Sequence, residues 1–491
     1  MNNLLVFPLI IPLLTAVALI FGHNRIMLQR WISLVGSLIH LVVSCLIVRQ
    51  VHHDGIQTLY MGGWLPPYGI IFVADMFAAL LVLSTSVVSL ACLLYAFRTI
   101  GQDRERYYFY PFFQFLIVGV CGSFLTGDLF NLFVCFEVML IASYALIVLG
   151  GTKRQLRETL KYILINIVSS ALFVAAVAYL YSVTGTLNMA HLSVRIAELE
   201  QAGILTVIAV MLLTVFALKA GLLLFFWLPG SYSAPPAAVR AVFAALLTKV
   251  GLYAIVRTVT LLFPYQPDLI RDGIGLMAMA TMVLGGIGAV AYTNIHKIIN
   301  YNVILGIGFI GFGIAVGNHA SMDGVIFYLL HDMLAKALLF LLGGMLIKAA
   351  GTEDLREMGG LIKRYPLLGW LFFIVTLALV GVPPLSGFPG KMLMLRGGLE
   401  SGNVLLTAVA VLSSLLVLYS LIRVFIGAFL GEEKRSEIGE ESFKGLLAIT
   451  FGLLVLLVGM GLGAEEIYAF VSQAGRILVT PELYVEAVLK R

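Results

Sequence analysis

Charged residues are scarce in this chain. Asp, Glu, Lys and Arg make up 12% of its 491 residues, whereas soluble domains carry about 25%. Hydrophobic residues make up 61%, which excludes a soluble globular enzyme and predicts a membrane protein. The net charge of +5 is better explained by membrane orientation than by nucleic-acid binding, so we expect a lipid bilayer and no nucleic acid around the chain.

Cysteine is also rare, and its four occurrences, Cys45, Cys92, Cys121 and Cys135, all lie in apolar runs. Such thiols behave as small apolar groups, so no disulfide framework is predicted. CxxC, HExxH and P-loop motifs are absent. The GxGxxG match at 306–311 lies inside an apolar segment with no preceding strand, which excludes a dinucleotide site there. We expect no metal and no cofactor on this chain.

Alternating strand patterns and a basic leader are missing as well. The N-terminal MNNLLVFPLIIPLLTAVALIF has no basic n-region, so we interpret it as a retained first span. Apolar runs of about 20 residues are typical of membrane-crossing helices, the form that leaves no backbone group unpaired in lipid. The sequence predicts an all-α polytopic membrane protein with about 14 transmembrane helices. We number them as spans 1 to 14, near Leu4–Phe21, Trp31–Val48, Asp75–Phe97, Tyr108–Leu125, Leu129–Leu149, Leu160–Val183, Ile204–Leu228, Ala237–Phe263, Ile274–Tyr292, Ile298–Val316, Val325–Ile347, Leu367–Arg396, Val404–Leu430 and Leu446–Leu462.

Basic residues are concentrated in alternate loops between these spans. By the positive-inside rule, loops rich in Lys and Arg face the cytoplasm. The pattern predicts that both termini lie outside the cytoplasm of a bacterial cell membrane. The tail beyond span 14 mixes apolar and charged residues, and we expect a short surface helix there. The basic residues of the odd-numbered loops include Arg25, Arg98, Arg104, Lys153, Arg154, Arg157, Arg240, Lys297, Lys363, Arg364, Lys434 and Arg435.

Glycine and proline interrupt two of the predicted spans. Span 7 contains Lys219 and Gly221 before a proline-rich stretch, and span 12 contains GVPPLSGFPGK, which ends in Lys391. Interruptions at matching positions in two halves are typical of inverted repeats. The pattern predicts two inverted five-helix repeats, spans 4–8 and spans 9–13. We therefore divide the chain into residues 1–107, 108–263, 264–430 and 431–491.

Ionisable side chains inside the spans are the main functional signal. Glu137, Lys219, Lys249 and Lys336 each fall near the middle of their own span, and Lys391 lies nearer the outer face. A charge at the bilayer centre costs roughly 2.5–3.5 kcal/mol on insertion scales, so such residues mark ion or proton routes. Helices pack about 8–10 Å apart, so water must bridge some gaps. The sequence predicts a lateral hydrated row of proton-exchanging groups.

His331 and Asp332 are further candidates for this row. Asp332 and Lys336 are four residues apart and able to pair on one helix face, and a histidine suits proton relay. Lysine can release a proton when buried, whereas arginine stays charged. The alternative is a set of static ion pairs, which we prefer for Arg257 and Arg423 near span ends. For Asp75 and Asp128, helix capping and function both stay open. The row therefore does not include Arg257, Arg423, Asp75 or Asp128.

Several of these stretches resemble one known family. DLFNLFVCFEVMLIASYALIV, FALKAGLLLFFWLPGSYSAPPAAVRAVFAALLTKVGLYAIVR, LLHDMLAKALLFLLGG and GVPPLSGFPGK are similar to the proton-translocating, antiporter-like membrane subunits of respiratory complex I and of the multisubunit Mrp cation/proton antiporters. FWLPGSYSAPPA and GDLFNLFVCFEVM are most similar to the D-type branch of the Mrp sodium/proton antiporter subunits.

The resemblance implies a role for each matching position. Glu137 matches the family's span-5 glutamate, and Lys219 the span-7 lysine that pairs with it. Lys249 matches the bridging lysine of span 8, Lys336 the lysine of span 11, and Lys391 the terminal lysine of span 12. Asp332, by contrast, falls where some relatives have a histidine.

The resemblance implies a transporter subunit rather than an enzyme. We expect a proton-translocating subunit of a multisubunit sodium/proton antiporter, with protons and sodium ions as its substrates and other membrane subunits as partners. The alternative is a proton-pumping membrane subunit of a redox-driven complex, such as an NADH–quinone oxidoreductase or a membrane-bound hydrogenase.

Overall fold

The computed structural model describes residues 2–199, 202–264, 267–433 and 443–490. Within these ranges twelve helices are long and apolar enough to cross a membrane, and two shorter apolar helices occupy the positions of spans 4 and 12. The prediction of about 14 helical spans is therefore confirmed. The spans run Phe7–Phe21, Ile26–Asp54, Met76–Thr99, Phe109–Leu125, Leu129–Val148, Lys153–Thr184, Ala202–Ala220 with Leu228–Ser231, Ala237–Leu262, Pro267–Ala291, Ile295–Val316, His319–Ala350, Pro366–Val380 with Gly387–Glu400, Val404–Phe429 and Lys444–Leu462.

Spans 7 and 12 are broken, as the sequence predicts. Span 7 stops at Ala220, and Gly221 (φ +77°) and Leu223 (φ +61°) then turn through left-handed conformations. The Leu223 N–H donates to Thr281 Oγ1 at 2.7 Å, which fixes the turn. Span 12 stops at Val380 and is followed by Gly381 with φ +91°. Glycine suits positions 221 and 381 because it adopts positive φ without steric cost.

The two halves of the chain repeat one backbone junction. Asp128, which begins span 5, forms an antiparallel bridge with Asn188 beyond span 6. Asn294, which begins span 10, forms the same bridge with Asp354 beyond span 11. Asp128 and Asn294 each accept the N–H three residues on, as helix caps do. Consecutive spans start at opposite membrane faces, so spans 5 and 10 begin on opposite sides. The second junction is therefore inverted relative to the first, in line with repeats over spans 4–8 and 9–13. The residue boundaries of the domains stay a prediction.

Two kinds of element outside the spans were not predicted from the sequence. Strand β1 (Gln57–Tyr60) pairs with strand β2 (Ile71–Ala74) as an antiparallel hairpin between spans 2 and 3. Four residues a strand are too few for a clear alternation of apolar and polar positions. Short helices also connect the spans. They are Gln102–Arg106, Met189–Glu198, Leu355–Glu357 and Leu361–Arg364, with Asn3–Val6 leading into span 1.

The C-terminal tail is more than the short surface helix expected. It forms a first tail helix, Ala464–Val479, and a second tail helix, Pro481–Leu489. Val471 and Ala474 of the first are fully buried against the bundle. The tail thus packs onto the spans over several turns. The basic residues Lys434 and Arg435, which the orientation prediction uses, lie outside the described residues.

Spans 8, 10 and 11 form the centre of the bundle. Nearly all residues in their apolar windows are buried, whereas spans 1, 6, 13 and 14 bury only 33% of theirs. Exposed apolar side chains on the outer spans suit contact with lipid or with another membrane protein. Lys249 and Lys336, on spans 8 and 11, therefore lie in the interior and not against lipid.

Candidate functional site

Glu137 and Lys219 are linked through a third residue that the sequence did not single out. The Ser170 hydroxyl, on span 6, donates a hydrogen bond to Glu137 Oε1. The hydroxyl oxygen of Ser170 in turn accepts a hydrogen bond from Lys219 Nζ at 3.3 Å. The predicted direct pair is therefore corrected to a serine-bridged one. A serine in the middle of an apolar helix is too common to single out without the tertiary structure.

Lys219 lies next to the break in span 7. It is the penultimate residue of Ala202–Ala220 and is 5% exposed, with Nζ 5.1 Å from the centroid of the Phe136 ring. The aromatic face stabilises the cation where water is scarce. Glu137 and Ser170, by contrast, are only half-buried and lie toward the outside of the chain. The row therefore has one end at the protein surface.

A glycine contact sets span 7 against span 8. A Cβ added at Gly251 would lie 2.5 Å from the Ala220 backbone nitrogen, so the two backbones touch at this point. Ala220 directly follows Lys219, and Gly251 follows Lys249 by two residues. Close approach through small residues is a common way for membrane helices to pack. The contact places the first pair of lysines on neighbouring helices at the same level.

Lys249, Asp332 and Lys336 form a buried triad. Lys249 Nζ is 2.6 Å from Asp332 Oδ2, with both side chains fully buried. Lys336 Nζ is 3.6 Å from Asp332 Oδ1 and donates to the Asn302 carbonyl oxygen at 2.8 Å. The predicted Asp332–Lys336 pair is present, but the nearer partner of Asp332 is Lys249. One carboxylate thus lies between two lysines in the core.

Span 8 supplies a backbone acceptor beside this triad. Its turn Phe243–Leu247 is wider than an α-helical turn, and Lys249 Nζ donates to the Ala244 carbonyl oxygen at 2.8 Å. Wide turns of this kind free a carbonyl from the helix ladder and are frequent at functional sites. The Lys249 ammonium is thus held by one carboxylate and one freed carbonyl.

Lys391 lies at the break in span 12 and has no acidic neighbour within ion-pair distance in the part of the chain that the structure describes. Its Nζ donates to the carbonyl oxygens of Leu379 and Val380 at 3.0 and 2.9 Å, and to Ser414 Oγ at 3.0 Å. The Phe309 ring centroid is 5.0 Å away. Because a helix end leaves its last carbonyls without partners, the break creates the acceptors that hold this lysine.

His331 is fully buried beside the same break. Its Nδ1 lies 2.8 Å from Ser386 Oγ, and its Nε2 has no hydrogen-bond partner among the described residues. It adjoins Asp332 in sequence but takes no part in the triad contacts described above. The ring also packs against the Tyr328 ring, with a centroid distance of 5.4 Å.

Two arginines outside the row have structural partners, and the first is the buried Arg257. Its Nη2 is 2.6 Å from Asp75 Oδ2, and its guanidinium lies over the rings of Tyr253 and Tyr484 at 5.1 and 5.2 Å. Asp75 also caps span 3. These contacts support a structural role for Arg257. Asp75 and Asp128 each cap the helix that follows them.

The second is Arg423, which donates to two backbone carbonyls at the end of span 9, those of Val290 at 2.6 Å and of Tyr292. Both acceptors lie where a helix ends and its last carbonyls have no helical partner. The arginine thus joins span 13 to span 9, as expected for a structural charge.

A further polar cluster, which the sequence did not indicate, lies at the end of the bundle that holds the basic loops. Glu353 Oε1 is 3.3 Å from His296 Nε2 and 3.6 Å from Arg154 Nη1. Arg240 Nη1 contacts both ring nitrogens of His296. The contact with His296 lowers the pKa of Glu353 to about 2, so this carboxylate is ionised at neutral pH.

The site residues form three groups in sequence along the bundle. Glu137, Ser170 and Lys219 form the first, the Lys249–Asp332–Lys336 triad the second, and Lys391 with His331 the third. Each group holds at least one lysine next to oxygen acceptors. Among the described residues, no three His, Cys, Asp or Glu side chains cluster as a metal site would require.

The chain is similar to known proteins over its whole length. The family model described as NADH:quinone oxidoreductase/Mrp antiporter, TM, matches residues 126–417, more than half of the chain. The D subunit of the Na(+)/H(+) antiporter of Bacillus subtilis (strain 168) is 54% identical over 492 residues, covering 100% of both chains.

Two solved structures have the same fold. A chain in the Mrp complex from Dietzia sp. DQ12-45-1b has a TM-score of 0.92 and 29% identity, covering 100% of both chains. A chain in an archaeal membrane-bound sulfane sulfur reductase has a TM-score of 0.91 and 26% identity, covering 99% of this chain and 100% of that one. The segment that the family model matches contains every group of the buried row. The chain therefore belongs to the NADH:quinone oxidoreductase/Mrp antiporter transmembrane family.

Proposed function

We propose that this chain is the proton-translocating subunit of a multisubunit sodium/proton antiporter, and that protons move along the row from Glu137 to Lys391. The observation that carries the proposal is the set of four buried lysines on four separate spans, each next to oxygen acceptors. Static ion pairs do not need a lysine such as Lys391, which has no acidic partner within ion-pair distance among the described residues. The 54% identity to an antiporter subunit over the full length favours the antiporter over the redox-driven alternative.

Glu137 sets the protonation of Lys219 in this proposal. With the Ser170 bridge closed, the carboxylate stabilises the charged lysine against the cost of burial. With the bridge open, that support is lost and the proton passes toward Lys249. Because the two side chains already meet through one rotatable hydroxyl, a rotamer change of Ser170 is enough to open the link.

The same groups support a transporter subunit and not an enzyme. The row holds and exchanges protons, and no step of the proposed function makes or breaks a covalent bond of a substrate. Sodium, which prefers hard oxygen ligands, moves elsewhere in the complex. We expect the purified chain alone not to exchange sodium for protons, and robust exchange by it in liposomes would contradict this.

Partner subunits cover the face around Glu137. Glu137 and Ser170 are half-buried, and neighbouring apolar side chains of span 6, Leu164, Ile167 and Val168, are exposed. A carboxylate facing lipid directly would be too costly to keep charged. Another membrane subunit packed on spans 5 and 6 removes that cost and continues the polar row.

The decisive experiment measures sodium-dependent proton flux in vesicles that carry the whole complex. Glu137→Gln keeps shape and polarity but loses the charge, so we expect flux per assembled complex to be abolished. Lys219→Ala should behave in the same way, and Glu137→Asp should retain part of the flux. If Glu137→Gln transports like wild type, Glu137 is a structural residue and the proposed gate is wrong. Flux that depends on quinone reduction and not on sodium would favour the redox-driven alternative.

Orientation is tested separately. We propose that both termini face away from the cytoplasm, so the loops around Lys153–Arg157 and Lys363–Arg364 face inward. Cysteines placed in these loops should react with an impermeant thiol reagent only after the membrane is opened. The native Cys45 is exposed and is replaced by serine in the background. Labelling of either loop from outside intact cells would contradict the orientation.

A further inference from the structure

A buried carboxylate lies outside the row, near the N-terminal end of span 11. Asp323, near the start of the helix His319–Ala350, has a fully buried side chain. Its Oδ2 accepts a hydrogen bond from the Tyr468 hydroxyl at 2.9 Å and lies 3.3 Å from His319 Nδ1. Its Oδ1 has no hydrogen-bond partner among the described residues. The carboxylate therefore keeps one free acceptor in the interior of the protein.

The first tail helix covers this carboxylate. A Cβ added at Gly475 would lie 1.8 Å from Asp323 Oδ1, so the helix backbone rests directly on the carboxyl group. Tyr468 comes from the same helix. A side chain larger than glycine at position 475 would force the helix or the carboxylate to move.

His319 connects the carboxylate to the surrounding solution. Its side chain is 55% exposed, although its Nδ1 contacts the buried carboxylate. Arg396 of span 12 also lies near Tyr468 and is paired with Glu400 at 2.7 Å. Span 11 thus supplies two titratable side chains to the cluster, the exposed His319 and the buried Asp323, four residues apart.

The cluster and the row share this helix. Asp323 precedes His331 by eight residues, which is about 12 Å along the helix axis. Tyr328 lies within that interval, with its ring centroid 5.4 Å from the His331 ring and 5.7 Å from Lys391 Nζ. Tyr328 thus lies between the cluster and the row along this helix.

We propose that Asp323 and His319 form the proton-access site at the end of the bundle that faces away from the cytoplasm, and that Asp323 connects the outer solution with His331 and Lys391. Protonated His319 gives its Nδ1 proton to Asp323 Oδ2, which leaves a neutral ring and a neutral carboxyl group. The carboxyl group then passes that proton inward through water, and the carboxylate is restored. This inference rests on the proposed function.

Two conservative variants distinguish proton transfer by Asp323 from a purely structural role. Asp323→Asn still accepts the Tyr468 hydrogen bond but cannot carry a proton as an acid. Tyr468→Phe loses that hydrogen bond but keeps the carboxylate. If the cluster only fastens the tail helix, the asparagine variant should be nearly normal and the phenylalanine variant impaired.

The experiment uses vesicles with the whole complex and controls pH on the side of the access site. Asp323→Asn should lose about 100-fold in sodium-dependent proton flux, a usual effect of removing an acid–base group. Tyr468→Phe and the surface control Arg396→Gln should retain most of the flux. Wild-type flux in Asp323→Asn, or its loss in Tyr468→Phe alone, would overturn the inference.

His319→Gln is a second test at an exposed position, where folding is not at risk. We expect flux to fall about tenfold or more, because the shuttle is gone. Imidazole added on the membrane side of the access site should restore it. Wild-type flux in this variant would overturn the inference even if Asp323→Asn fails to assemble. A wild-type complex without sodium-coupled flux would instead overturn the proposed function.

Discussion

Ser170 joins Glu137 to Lys219, because its one hydroxyl donates to the carboxylate and accepts from the ammonium. The pair is therefore controlled from span 6, which contributes neither of the two charges. A hydroxyl can rotate between a bridging and a non-bridging position faster than two helices can separate. This makes the serine the most informative single position in the first group.

Ser170→Ala should lower transport per assembled complex while Ser170→Thr keeps most of it. Hydrogen bonds to charged groups contribute about 1.5–3 kcal/mol, so we expect a fall on the order of tenfold or more. The measurement is sodium-dependent proton flux normalised to complex content. Wild-type flux in the alanine variant would show that water alone can connect Glu137 and Lys219.

Asp332→Asn should destabilise the protein as well as stop transport. The variant leaves Lys249 and Lys336 buried without a carboxylate, and breaking a buried ion pair costs about 3–5 kcal/mol. Adding Lys249→Met removes one unpaired charge, so the double variant should regain thermal stability but not flux. Recovery of flux in the double variant would show that Lys249 does not carry protons.

Arg257→Met should lower stability without stopping transport. Arg257 pairs with Asp75 and packs against Tyr484 of the second tail helix, apart from the contacts of the row. We expect lower thermal stability and less assembled complex, because Asp75 is left buried and unpaired. Flux per assembled complex should stay near wild type. A selective loss of flux would instead give this arginine a role in transport.

Glu353→Gln should lower stability in a pH-dependent way. The pKa of Glu353 falls from an ordinary 4.5 to about 2 in the folded chain, so the carboxylate stabilises the fold above pH 4.5 and loses this effect as pH falls toward 2. The difference in melting temperature between wild type and variant should thus be largest near neutrality and shrink below pH 4.5. Because the group is part exposed, we expect less than about 1 kcal/mol. A difference that grows on acidification would contradict the assignment of Glu353 as the stabilising group.

The sequence by itself determined the helical spans and singled out the ionisable residues inside them. Apolar length reports directly on bilayer crossing, since a chain in lipid must satisfy its backbone within a helix. Glycine and proline mark the breaks at spans 7 and 12 because they change the backbone at the residue where they occur. Glu137, Lys219, Lys249, Lys336 and Lys391 could be found because a charge is rare and costly inside a membrane span.

Only the tertiary structure decided which groups meet. Ser170 became a bridge, and Asp332 took Lys249 as its nearer partner, because helix packing brings together residues from distant parts of the chain. The Gly475 contact on Asp323 depends in the same way on where the tail helix docks. Such contacts leave no local signal, since a serine, an aspartate or a glycine has the same chemistry wherever it lies. Its partner is set by the three-dimensional arrangement, in which the energy of a buried charge depends on neighbours a few ångströms away.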